Sequence, residues 1–117
     1  MIYQTKIKGI GNEAAAFETE KMVILFGDNA PEELVDFCYI VDINEVNGDI
    51  TEENVLKVDD TEYKITKVGS AVRKNLNDLG HITLKFDGSE NAEQSGTLYL
   101  EDKALPEFKE NSILTIQ

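Results

Sequence analysis

Histidine and cysteine each occur once in these 117 residues, and basic side chains are few: 11 lysines and arginines against 23 acidic residues, a formal charge of −12. A single cysteine, Cys38, excludes an intrachain disulfide and suits a reducing compartment. One histidine and one cysteine cannot assemble a structural zinc set, and no calcium-loop spacing occurs, so no metal is expected. With so little positive charge, nucleic acid and anionic membranes are poor partners. A basic protein attracted at long range is a better one, unless the acidity serves solubility alone. No apolar run approaches the ~20 residues that a membrane helix requires. Met1-Ile2-Tyr3-Gln4 leads into an alternating strand rather than a basic and then apolar leader, so a cytoplasmic protein is expected. The sequence has neither a phosphate-binding loop nor a dinucleotide fingerprint, and Gly9-Ile10-Gly11 is too short to be one; no cofactor is expected. Repeats, low-complexity tracts and linkers are also lacking.

What is present reads as a single domain over residues 1–117, long enough to bury a hydrophobic core. Alternating residues predict a strand over Ile2 to Ile10. Asn12 to Lys21 reads as a surface loop with at most a helical turn. The apolar run Met22 to Phe26 predicts a buried strand, followed by a short helix over Pro31 to Phe37 that would bury Leu34, Phe37 and Cys38 on one side. Tyr39 to Val46 predicts a strand ending in an Asn47-Gly48 turn. Val55 to Val58 and Glu62 to Val68 read as a hairpin turning at Asp59-Asp60. A second helix is predicted from a Ser70 cap through Leu79, stopped by Gly80. Strands at His81 to Phe86, Gly96 to Leu100 and Ser112 to Gln117 complete the chain. The fold class is therefore mostly β: a small barrel or sandwich of about seven or eight strands with two short helices.

The chemistry concentrates in Leu79-Gly80-His81-Ile82-Thr83-Leu84-Lys85-Phe86-Asp87-Gly88. Ile82, Leu84 and Phe86 alternate with His81, Thr83 and Lys85, which sets the imidazole on the wetter face at the mouth of a strand. A neutral imidazole is a nucleophile, and it titrates near neutral pH. A helix opening at Gly69-Ser70 would offer free N–H groups and a positive dipole end to a phosphoryl group, if it packs near that mouth. Thr83, about 7 Å along the same face, is a further candidate, whereas Lys85 at about 13 Å is too far. The candidate site is thus His81 as the catalytic residue, with Gly69, Ser70, Gly80 and Thr83 steadying phosphate. Cys38, at a helix end behind Phe37, reads as a core filler rather than a nucleophile.

The run Lys67-Val68-Gly69-Ser70 through Asn75-Leu76, and Leu79 through Gly88, resembles the glucitol/sorbitol-specific IIA component of the bacterial phosphoenolpyruvate-dependent sugar phosphotransferase system. The similarity extends to Ile2-Tyr3-Gln4-Thr5, Ile10-Gly11, Ile24-Leu25-Phe26, Ala30-Pro31 and Gly96-Thr97, and so covers nearly the whole chain. It implies a β-rich cytoplasmic phosphocarrier that accepts a phosphoryl group on histidine from HPr and passes it to a cysteine of the permease's IIB domain, touching the membrane only through the IIB/IIC permease. In that family the histidine usually assigned as phosphorylated follows an apolar-aromatic stretch after the first helix. Here that stretch is Cys38-Tyr39-Ile40, and the next residue is Val41, which cannot accept phosphate. His81, which also matches the family pattern, is then the expected acceptor. The alternatives are a catalytically silent IIA-like binding or regulatory protein and, more remotely, a small-ligand barrel. Apolar edge strands could pair two copies as a homodimer.

Overall fold

The computed structural model describes all of residues 1–117. Eight strands form it: β1 (Tyr3–Ile10), β2 (Met22–Gly27), β3 (Tyr39–Val41), β4 (Val55–Val58), β5 (Thr61–Val68), β6 (Ile82–Lys85), β7 (Thr97–Leu100) and β8 (Ile113–Ile116). They close into a barrel in the order β1-β3-β2-β6-β7-β5-β4-β8, with β8 pairing back onto β1. Neighbours are antiparallel except β2–β3 and β6–β7. Each parallel pair needs a connection that leaves the sheet and returns. For β2–β3 this is residues 28–38 with helix α1 (Glu32–Val35), and for β6–β7 it is residues 86–96; helix α2 (Val72–Leu79) joins β5 to β6, which are not neighbours in the barrel.

Alternation decides what the barrel encloses. Tyr3, Thr5 and Ile7 of β1, Val23 and Leu25 of β2, and Ile82 and Leu84 of β6 are buried. α2 adds Val72 and Leu76 to this core, which is why so short a helix persists. Tyr63 and Phe86 meet edge to face at 4.8 Å between ring centres, and the Tyr63 hydroxyl donates to the Ala104 carbonyl at 2.7 Å.

Several expectations are corrected. Residues Ala14–Glu20 form a 3-10 helix that packs against β2 rather than a loop. β3 stops at Val41, and Asn47-Gly48 joins no hairpin; the Asn47 amide donates instead to the Ile2 carbonyl. α1 is a single turn, and Leu34 and Phe37 are 43% and 37% exposed rather than buried, leaving Cys38 alone inside. Ser70 does not cap α2: the N-cap is Ala71, with no side-chain bond. Finally, a closed barrel has no open strand edge, so the edge-to-edge route to a homodimer falls away.

Candidate functional site

His81 lies between α2 and β6, and glycine puts it there. α2 ends at Gly80 in the left-handed conformation (φ 65°), with the Gly80 amide donating to the Leu76 carbonyl at 3.0 Å. A Cβ at Gly80 would come within 3.0 Å of the Gly27 nitrogen, and one at Gly27 within 2.6 Å of the Leu79 carbonyl oxygen. Two glycines facing each other let the helix end seat directly on the end of β2. The chain then enters β6 with Ile82 opposite Leu25, which sets His81 beside Phe26.

The ring is half-buried and held on two sides. It stacks on Phe26 at 4.2 Å between centroids and 22° between planes. Its Nδ1 lies 3.1 Å from the Leu25 carbonyl oxygen. A carbonyl only accepts, so the neutral ring carries its proton on Nδ1, and the lone pair is left on Nε2. The groups that hold the ring are a carbonyl and an aromatic face; neither is a cation.

The other predicted site residues are not gathered round it. Gly69 and Ser70 stand at the start of α2, a helix length of about 12 Å from the end that His81 follows. Gly69 is buried beneath residues 94–95, and its amide donates to the Thr97 carbonyl at 3.0 Å. The Gly80 amide is likewise taken by Leu76, so neither glycine has an N–H free for phosphate. Ser70 is exposed and lines an open groove of about 640 Å³ with Arg73, Lys74, Asn77 and Asp78, a lining that does not include His81. What α2 presents to His81 is its C-terminal, electronegative end, the reverse of the arrangement expected above. Thr83 stays on the outward face one strand step on, in a separate groove with Met22, Lys85 and Tyr99. Val41 is fully buried, and its Cγ2 would sit 3.3 Å from a Cβ at Gly80. A side chain at position 41 thus faces the core behind the histidine loop.

Leu25 and Phe26 were missed as site residues. Phe26 closes a run that reads as uniformly buried, and Leu25 acts through its backbone, which carries no residue signal.

Fold and site together define a small closed β-barrel bearing one oriented imidazole whose Nε2 is free. The family model for the PTS system glucitol/sorbitol-specific IIA component matches residues 2–115. The glucitol/sorbitol-specific EIIA components of Shigella flexneri and of Escherichia coli K12 are each 33% identical over all of this chain and 95% of their own length. The crystal structure of a PTS system IIA component from Enterococcus faecalis V583 superposes with a TM-score of 0.84 at 31% identity, covering 97% of this chain and 98% of that one. The chain belongs to the glucitol/sorbitol-specific IIA component family of the sugar phosphotransferase system.

Proposed function

We propose that this chain is a cytoplasmic phosphocarrier that accepts a phosphoryl group from HPr on His81 and passes it to the IIB domain of a glucitol/sorbitol permease. The observation that carries this is the Nδ1 contact with the Leu25 carbonyl, which leaves Nε2 as the nucleophile on a ring already immobilised by Phe26. In the transfer the Nε2 lone pair forms a bond to phosphorus while the phosphorus–nitrogen bond of the donor's protonated phosphohistidine breaks, its electrons returning to the donor ring. The donor ends as neutral imidazole. His81 ends as a phosphorylated ring still protonated at Nδ1, and the Leu25 carbonyl holds that proton in the more positive state. With the proton kept on Nδ1, His81 departs as neutral imidazole when a thiolate attacks phosphorus in the onward transfer, and no cofactor is required.

Incubation with phosphoenolpyruvate, enzyme I and HPr tests the reading. Wild type should take up acid-labile label, and His81→Ala should take up none while keeping its circular dichroism. Label persisting in His81→Ala removes the assignment. The second reading, a silent IIA-like binding protein, is motivated by Val41. It predicts no label on wild type together with retained binding to the IIB/IIC permease. The burial of Val41 speaks against it, because a side chain at that position would offer no nitrogen to a partner's phosphoryl group.

A further inference from the structure

We propose that the connection over the outer face of β2 and β3, residues 28–38 together with the 3-10 helix Ala14–Glu20, is the docking face for a basic protein partner, namely the phosphoryl donor. The inference rests on the phosphocarrier reading for the identity of that donor. Residues 9–56 contain twelve acidic side chains and one basic one, Lys21, which is ion-paired with Asp102. The rest of the chain has eleven acidic and ten basic residues. By count, residues 9–56 carry −11 of the −12; Asp28 and Asp42 are ion-paired with Lys8, Asp49 with Arg73 and Glu52 with Lys67, so the carboxylates free of a partner there include Glu32, Glu33 and Asp36.

Within that acidic part the connection exposes apolar surface that the fold does not use. Leu34 and Phe37 are 43% and 37% exposed, and Phe37 lies 6.1 Å from Phe17 of the 3-10 helix, ring centre to ring centre. Glu32, Glu33 and Asp36 interleave with them, all exposed and none ion-paired. An apolar centre with a charged rim is the composition of a transient protein interface. Its sign selects a partner with an apolar patch ringed by lysine or arginine, and it repels a second copy of this chain.

The face adjoins the imidazole. The connection springs from Gly27, whose carbonyl accepts from the Ala30 amide, and Gly27 is the residue that Gly80 abuts; Phe26, just before it, carries the His81 ring. The connection on which a partner would sit therefore leaves β2 one residue after the aromatic ring that carries His81. Since no cation holds the His81 ring, basic groups brought by the partner would also meet the phosphoryl charge that this chain leaves unmet.

Binding of unphosphorylated HPr decides the proposal, because it requires no transfer. Glu33→Lys/Asp36→Lys should weaken binding about ten-fold at roughly 50 mM salt, and only two- or three-fold at roughly 500 mM. Leu34→Ser, at an exposed position, should weaken it at both salt concentrations. Asp60→Lys/Glu62→Lys makes the same change in net charge at the β4–β5 turn, on the far side of the barrel, and should have under about a two-fold effect. Equal losses from the two charge-reversal pairs, no loss in Leu34→Ser, or self-association of the wild type that Leu34→Ser abolishes would overturn the docking face. Normal labelling of wild type with both pairs harmless would refute the docking face alone. Binding as described without labelling would refute the transfer reading alone.

Discussion

Tyr3 shows what a single buried oxygen does to this protein. Its hydroxyl is enclosed and has no hydrogen-bond partner, while the neighbouring Thr5 gives its own hydroxyl proton to the Asp42 carbonyl at 2.8 Å. Burial, the largest cause, pushes the Tyr3 pKa from 10.0 up to about 12; the Thr5 hydroxyl draws it down in part, and the Asp42 carboxylate raises it. An acid whose folded pKa is raised is destabilised by its own ionisation. The native state keeps full stability below about pH 10 and loses it as pH climbs towards 12, by roughly 2–3 kcal/mol. Tyr3→Phe should therefore flatten the alkaline limb of denaturant-derived stability against pH. At neutral pH it should be as stable as wild type, or more so by up to ~1 kcal/mol, since an orphaned hydroxyl is removed. An alkaline limb unchanged in the variant would assign the loss elsewhere. The contrast with His81 is instructive. The imidazole could be picked out from the sequence, as the sole one on the outward face of a strand. Its two supports could not, because the Leu25 carbonyl lies 56 positions away along the chain.

At the scale of elements, the strands were legible and the helices and turns less so. Alternation reports which residues share a side, and a barrel wall makes that side the core, so every predicted strand exists, although β3 stops at Val41 where the alternation ran on to Val46. Helical spacing reports a face but not whether anything covers it. Leu34 and Phe37 were expected inside for that reason, yet α1 is a single turn resting on the outside of the sheet. Leu34→Ala should then change stability by under ~0.5 kcal/mol, whereas Leu76→Ala in α2, at 1% exposure, should cost about 2–5 kcal/mol in chemical denaturation. The phosphate cradle expected at Gly69-Ser70 failed for a related reason: sequence places a helix start near a histidine in number, while α2 holds the two a helix length apart. The glycine that matters is Gly80. Replacing it with alanine imposes a left-handed φ of 65° on a residue with a Cβ and sets that Cβ 3.0 Å from the Gly27 nitrogen. Gly80→Ala should cost about 1–3 kcal/mol, and it should cut transfer through His81 more than it cuts binding of HPr. Intact transfer in a folded Gly80→Ala protein would show that the histidine does not depend on this helix stop.

For the whole molecule, closure is what local pattern could not decide. Alternating strands suit a sandwich or a barrel equally, and the choice depends on whether the first and last strands find each other. Here β8 settles it, pairing Tyr3–Lys6 of β1 on one side and Leu56–Val58 of β4 on the other. It also buries Leu114 and Ile116 in the common core, while the Ser112 carbonyl accepts from the Ile7 amide at 2.9 Å. Removing residues 112–117 would expose two strand edges and the apolar interior together. The loss is then far larger than two side chains, because neither edge has another strand to cover it. Truncation before Ser112 should abolish the cooperative thermal transition and yield concentration-dependent association in sedimentation. Adding the excised segment back as a peptide should restore a transition, since the gap it leaves is complementary to it alone. A truncated chain that stays monomeric and melts cooperatively would mean that seven strands suffice, and that the seam between β1 and β4 contributes little to the fold.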